Sequence, residues 1–289
     1  MNVVCRHFGA CGGCAWQDVP LEVYRERKRD LIADALARHG IVDPPLKEIV
    51  AVPPRSRRRA TLRLQKTDGK TRLGFHAPRS HTLVDIRECH VLTPGLFGLA
   101  QGVREAFSRL LHEGESADLY FVQAENGFDL AVGWTRKAGS ELVAQIAVAA
   151  QMLGLVRVTS GGDLLYETAA PEVQFGKARV KLPPNAFLQP TREGEALLQG
   201  RAAEAVGRAR HIADLFAGCG TFTLPLAEKA QVHAVDADRT MLDALAAGAR
   251  ATPGLKPVST ERRDLFKHPL TAAELGRFDA VMLDPPRAG

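Results

Sequence analysis

Three cysteines crowd the start of the chain in the run CRHFGACGGCAWQ, where Cys5 is followed after five residues by Cys11 and after two more by Cys14. A C-x2-C pair reaches one small centre easily, and glycines at positions 9, 12 and 13 let the backbone wrap closely round it. Three thiolates ask for a fourth ligand, and Cys89, in DIRECHVLTP, is the candidate. Four soft thiolates serve a structural zinc or an iron-sulfur cluster. The spacing matches neither the paired knuckles of a zinc ribbon nor the C-x3-C-x2-C run of radical enzymes; a metal centre is expected, with a 4Fe-4S cluster favoured. His7 and His90 flank the cysteines and read as packed or solvated neighbours rather than ligands.

A second group of residues lies in ADLFAGCGTFTLPLA, 213 to 227. An apolar run through Leu215 and Phe216 reads as a buried strand. Gly218, Cys219 and Gly220 form a turn with little Cβ in the way of a ligand, and Thr221 onward has the spacing of a helix start. In an open parallel sheet such a turn lies at the carboxyl end of a strand, where ligands collect. QVHAVDAD, 231 to 238, is a second strand ending in Asp236, whose carboxylate can accept both hydroxyls of a ribose. A dinucleotide fingerprint needs a third glycine where this chain has Leu224 or Pro225, so a nucleoside without a pyrophosphate fits better. S-adenosylmethionine is such a ligand. FDAVMLDPPRAG, 278 to 289, supplies a third strand end at Asp284, and an acidic residue before prolines at a strand end recurs in methyltransferases acting on bases or amides.

The elements that must position these groups follow from periodicity. The segment 19 to 39 reads as an amphipathic helix with a basic opposite face. The run 52 to 78 reads as a hairpin turning at Asp68 and Gly69. Arg55, Arg57, Arg58, Arg59, Arg63, Lys66, Lys70 and Arg72 fall within eighteen residues, a density suited to phosphate contacts, with a solvated strand face as the plain alternative. Replacing Arg57, Arg58 and Arg59 together is expected to weaken RNA binding and its salt dependence. Residues 83 to 181 read as alternating short helices and strands, an α+β arrangement of sheet pairs without crossovers. Phe187, in NAFLQP, is either core or a base-stacking platform. A helix from Glu193 to Ala209 feeds the glycine-turn strand. Four parallel strands are expected at 211 to 216, 231 to 236, about 257 to 262 and 278 to 284, the last an open edge.

With 289 residues, 45% apolar and 25% charged, the composition is that of a globular two-domain protein, and the formal charge of +5 mildly favours a polyanionic partner. No apolar run reaches the roughly 20 residues of a membrane span, and no secretion signal is visible, so a cytoplasmic protein without a membrane partner is expected.

On CRHFGACGGCAWQ, Cys89, the N-x-F-x-Q of Asn185, Phe187 and Gln189, DLFAGCGTFTLPLA, Asp236 and LDPPRAG, the chain resembles the RNA 5-methyluridine methyltransferases, within them the branch acting on bacterial 23S ribosomal RNA. The resemblance implies a Rossmann-like class I methyltransferase domain, here incomplete, at 186–289, preceded by an α+β domain at 1–185 carrying an iron-sulfur site and binding RNA. It implies that Cys5, Cys11, Cys14 and Cys89 hold a 4Fe-4S cluster. It implies that Gln189, Phe216, Thr221, Asp236, Asp264 and Asp284 line the S-adenosylmethionine site, with Gly218 and Gly220 in the turn. Arg57, Arg58, Arg59, Arg63 and Phe187 are the RNA-binding candidates, and a monomer acting on 23S RNA is expected. Thr191 stands where the family often has asparagine, and with the cysteine motif starting at Cys5 the N-terminal RNA-binding barrel of many members is not expected in this sequence.

Family chemistry adds a cysteine thiolate to uracil C6, after which C5 takes the methyl group and a glutamate removes the C5 proton. In the family both groups lie beyond the D-P-P-R motif. The chain is therefore expected to hold cluster and cofactor without a catalytic residue of its own, Asp284 at most supporting, and to be a fragment of a longer enzyme. Cys219, in the cofactor loop, is not the nucleophile by its matching position. The competing readings are a non-catalytic RNA-binding iron-sulfur module, a tRNA uracil-C5 methyltransferase, and an exocyclic-amine methyltransferase of the N-P-P-Y type, against which Asp284 in place of asparagine and the cysteines both weigh.

Overall fold

The computed structural model describes residues 4–134 and 136–286. Arg287 to Gly289, the end of the LDPPRAG motif, lie outside the described residues. The chain divides into two compact units, one of Met1–Arg57 with Thr61–Ser116, the other of Arg58–Ala60 with Ala117–Gly289. The boundary expected near residue 185 is therefore not where the chain divides.

The first unit begins with a cysteine loop and the helix α1 (Leu21–Ala37), which buries none of its residues; Leu31 and Ile32 are about half exposed. Its apolar stripe, read from the sequence as a packing face, stays open. The strands β1 (Arg59–Thr67) and β2 (Lys70–His76) form the expected hairpin, with Thr67 opposite Lys70 and a turn of Asp68 and Gly69 at φ 55° and 68°. Both turn residues are left-handed, the conformation a two-residue hairpin loop requires. The strand β3 (Leu83–Asp85) pairs antiparallel with β2. Gly74 is obligatory here, because a Cβ would collide with the Val84 carbonyl. The helix α2 (Pro94–Phe107) starts at Thr93, whose side chain accepts from the Leu96 N–H, and buries Leu96, Leu99, Val103 and Phe107.

The second unit opens with β4 (Ser116–Gln123), β5 (Phe128–Trp134), α3 (Ser140–Met152), β6 (Leu155–Ser160) and β7 (Asp163–Glu167), paired in the order β4-β5-β6-β7. β5 and β6 are parallel and joined through α3, so this half does contain a crossover, contrary to the pattern read from the sequence. Alternation alone does not reveal pairing direction, which is set by what a strand meets in the sheet. The hairpin β8 (Glu172–Phe175) and β9 (Ala178–Lys181) turns at Gly176.

After α4 (Arg192–Val206) comes a parallel sheet of β10 (His211–Leu215), β11 (Gln231–Asp236), β12 (Val258–Arg262) and β13 (Ala280–Leu283), ordered β12-β11-β10-β13. All four expected strands are present, and β13 is terminal in the sheet. The connecting helices are α5 (Thr223–Leu226), α6 (Arg239–Ala251) and α7 (Ala272–Leu275). Val173, Phe175, Val180 and Leu182 share one buried cluster with Leu188, Cys219 and Leu224, and a Cβ on Gly248 of α6 would come within 2.9 Å of Val180. This packing of the β8–β9 hairpin on the parallel-sheet region is why the unit extends far upstream of residue 185.

Candidate functional site

The chain leaves β10 for β11 and β12 on one side and returns as β13 on the other. The strand order reverses at β10, and the crevice beyond its carboxyl end is where open parallel sheets bind ligands. Phe216, Asp236, Asp264 and Asp284 each follow or close one of the four parallel strands, so the topology brings the four to one edge of the sheet.

Beyond β10 the backbone turns left-handed at Phe216, φ 63°, a conformation that costs a residue with a Cβ on the order of 1 kcal/mol. Two hydrogen bonds hold the turn: Ala217 N–H to the Val235 carbonyl at 3.1 Å and Gly218 N–H to Asp236 Oδ2 at 2.8 Å. A Cβ on Gly218 would meet nothing within 4 Å, whereas one on Gly220 would press on Leu224 and Leu245 at 2.9 and 3.0 Å. The first glycine thus borders open space and the second allows close packing. α5 is a single turn, shorter than the helix expected from Thr221, and the Ala217, Gly218 and Gly220 N–H groups are all bonded within the protein, so what the strand end offers is open space beside Gly218 and the Asp236 carboxylate.

Asp236 Oδ1 accepts from the Asp238 N–H at 2.9 Å while Oδ2 accepts from Gly218. Each carboxylate oxygen retains a further acceptor site, so the group can be fixed by the backbone and still receive a diol. Gln189 Nε2 stands 3.5 Å from Asp284 Oδ2, and the Thr221 carbonyl accepts from Gln199 on α4 at 3.0 Å. Asp264 receives the N–H groups of Phe266 and Lys267 at 3.1 and 3.3 Å.

Two residues that sequence reasoning missed belong to this region. Phe266 lies 5.2 Å from Phe216, ring centre to ring centre, and is 63% exposed. Its signal was an aromatic two residues past the strand-end Asp264. Asp214, inside β10, is buried; its Oδ2 accepts from Thr223 Oγ1 at 2.5 Å and its Oδ1 has no hydrogen-bond partner among the described residues. Burial pushes its carboxyl up to about 7 against the Thr223 hydrogen bonds, with the charges of Asp284 and Asp236 adding to the rise. A charge inside a strand that otherwise reads as core was the available sign. Cys219 is buried in the turn and its thiol is pushed by burial up to about 12, so it is an inert packing group and no nucleophile.

The RNA-binding candidates separate. Arg57 is exposed. Arg58 is not available to a phosphate: it is buried, with Nη2 2.6 Å from Glu195 Oε2. A charge density read from sequence does not distinguish an arginine facing solvent from one turned inward onto a carboxylate far along the chain. Arg59 stacks on Phe187, its guanidinium 4.3 Å from the ring centre, and Phe187 is 59% exposed, so it is not core. Arg63 donates to Ser116 Oγ at 2.5 Å, and Lys66 donates to the Ser108 and Leu111 carbonyls past the end of α2.

Among the described residues no group of three or more His, Cys, Asp or Glu side chains is arranged to hold a metal ion. Sulfurs bound to one zinc at about 2.3 Å would sit close together, and these do not form that site. The four cysteines are nevertheless neighbours. Burial raises the thiols of Cys5, Cys11 and Cys14, and each also feels Cys89. Three sulfurs receive N–H groups: Cys11 from Gly13 at 3.4 Å, Cys14 from Gln17 Nε2 at 3.2 Å and Cys89 from Leu92 at 3.5 Å. Donors aimed at sulfur favour the thiolate, the form that ligates iron, but at Cys11 and Cys14 burial outweighs them and the thiol is held up. A Cβ on Gly13 would strike the Phe75 ring at 2.9 Å, so the loop needs glycine to lie as it does.

Comparison with known proteins agrees with the fold. No family model matches the chain. An uncharacterized RNA methyltransferase of Brucella suis is 41% identical over 291 residues, which cover 100% of this chain and 69% of that protein. The chain belongs to the RNA methyltransferases. A similar protein of Caulobacter vibrioides, also named an uncharacterized RNA methyltransferase, is 40% identical across 99% of this chain and 70% of its own length. The 23S rRNA (uracil(1939)-C(5))-methyltransferase RlmD of Halomonas elongata is 31% identical to this methyltransferase, across 99% of this chain and 63% of that one. The tRNA (uracil-54, C5)-methyltransferase of Pyrococcus abyssi, solved with S-adenosyl-L-homocysteine, superposes with a TM-score of 0.69 at 19% identity, covering 96% of this chain and 70% of its own. That likeness is one of fold, and it makes the parallel-sheet region a methyltransferase fold.

Proposed function

We propose that this RNA methyltransferase takes S-adenosylmethionine as methyl donor and acts on C5 of a uridine in 23S ribosomal RNA, in the cytoplasm. The observation that carries the proposal is the Gly218 N–H to Asp236 contact of 2.8 Å, which fixes a diol acceptor beside an open glycine turn at the strand-order reversal. Asp236 receives the ribose hydroxyls, Phe216 and Phe266 offer flat surfaces for the adenine, and Gln189 and Asp284 face the reacting end. When bound, the cofactor supplies a sulfonium methyl group. The turn, held by one hydrogen bond to the Val235 carbonyl and one to the Asp236 carboxylate, orients it, and the stacked Arg59 and Phe187 receive RNA through charge and base stacking. The uracil-C5 assignment is supported by the activity for which the Halomonas relative is named. The nucleophilic thiolate that such a reaction uses is not Cys219, so these residues are assigned to holding donor and RNA.

We also infer that Cys5, Cys11, Cys14 and Cys89 hold a 4Fe-4S cluster, supported by the N–H donors on three of their sulfurs. Anaerobic isolation is expected to give a brown protein with about four irons and four sulfides per chain. Stoichiometric zinc, or no metal at all, would refute it. The activity is tested in cells: disrupting the gene should remove 5-methyluridine from 23S RNA digests and leave tRNA untouched. Loss from tRNA instead would favour a tRNA enzyme, and loss from neither would end the uracil reading.

A further inference from the structure

The segment carrying Phe187 and Gln189 is anchored at each end by a buried ion pair. On the entering side Arg157 holds Asp129 bidentately, Nε to Oδ1 at 3.0 Å and Nη2 to Oδ2 at 2.6 Å. The same guanidinium donates to the carbonyls of Leu182 at 2.7 Å and Pro183 at 3.2 Å. On the leaving side Arg58 Nη2 meets Glu195 at 2.6 Å, its Nε donates to the Gln189 carbonyl at 3.1 Å, and its backbone N–H donates to the Pro190 carbonyl at 2.8 Å. One arginine thus holds the carbonyls of both Gln189 and Pro190. The Arg58, Glu195, Arg157 and Asp129 side chains are 3%, 6%, 3% and 10% exposed.

Between the anchors Ala186 and Leu188 are buried, Asn185 is exposed and left-handed at φ 60°, Phe187 is exposed under Arg59, and the half-buried Gln189 lies beside Asp284. The segment contains Pro183, Pro184 and Pro190, which lack N–H groups, so it cannot be fixed by a regular ladder. Buried ion pairs of this kind add little net stability against apolar groups of the same size, but their geometry is narrow and the spare donors here all go to one segment. We propose that Arg58–Glu195 and Arg157–Asp129 are positioning residues that hold residues 182–190 in the conformation presenting Gln189 to the methyl donor and Phe187 to the RNA base. The part that concerns donor and RNA rests on the function proposed above; the anchoring itself does not.

The test replaces the leaving-side pair by apolar groups, Arg58→Met with Glu195→Leu, with Arg58→Lys as a second variant that keeps the charge and loses the planar fork. Amide hydrogen exchange is followed over the whole chain, and S-adenosylhomocysteine is titrated calorimetrically into each protein, with and without Gln189→Ala. Exchange at 182–190 should quicken about tenfold or more while α6 stays within about threefold of wild type. The dissociation constant should rise about tenfold, with no further rise when Gln189→Ala is added, since both changes remove one contact. Unchanged exchange at 182–190, equal quickening everywhere, or affinity losses that simply add would overturn the proposal. Absence of ligand binding by the wild type would instead refute the donor assignment, and the exchange measurements would still decide the anchoring.

Discussion

Asp214 is the residue whose chemistry is most displaced by the fold. Its folded value of about 7 lies above the ordinary 3.8, so between those pH values the folded chain keeps a proton that the unfolded chain has released. The stability this contributes is fully present below about pH 4 and is lost as pH rises through 7. A displacement of this size corresponds at most to about 4 kcal/mol. Urea unfolding should show wild type weakening between pH 5 and pH 8 relative to Asp214→Asn; parallel curves would show that Asp214 does not titrate in this range. Cys219 makes the complementary case. With its thiol near 12 and buried, it should resist iodoacetamide at pH 8 in the native protein and react once unfolded, as mass mapping of the labelled peptides would read. Labelling in the native state would reopen a catalytic role for it. The sequence held one sign of this, a charged residue inside an otherwise apolar strand, but the size of the effect comes from burial, which converts Asp214 into a proton holder and Cys219 into filler.

At the scale of elements the basic run around Arg57 shows what a linear reading can and cannot recover. The hairpin, its Asp68–Gly69 turn and its alternating leucines were legible because turn chemistry and period-two burial are local. The fate of each arginine was not, because Glu195 lies far along the chain from Arg58. Arg58→Ala strands a buried carboxylate and should destabilise by roughly 3–5 kcal/mol, a loss visible in chemical denaturation and independent of RNA. Arg59→Ala should cost no more than about 1 kcal/mol in stability and should weaken RNA binding, lowering the salt slope by about 0.7 as one phosphate-attracting charge is lost from a single strand. An Arg58→Ala protein of wild-type stability, or an Arg59→Ala protein with wild-type RNA affinity, would contradict these roles. The glycine turn and the strand-end carboxylates fall at one edge of the sheet because the motif fixes their order along the chain and parallel pairing brings the strand ends together. Phe266 escaped because an exposed aromatic in a loop carries no period.

For the whole molecule, the division into units shows that packing outranks motif boundaries. The β8–β9 hairpin reads as part of an N-terminal half, yet it shares a core with Cys219 and Leu224, so the methyltransferase fold is supported by strands that precede its motif. Among the described residues no helix is long and apolar enough to cross a membrane. The proposed nucleoside site lies at the carboxyl end of β10. Equilibrium dialysis of the purified chain against labelled S-adenosylmethionine tests it most directly. One equivalent should be retained with wild type, and affinity should fall at least about tenfold with Asp236→Ala, whose loss removes a charged acceptor from the diol. Failure of the wild type to retain the label, or undiminished retention by Asp236→Ala, would contradict the site as described.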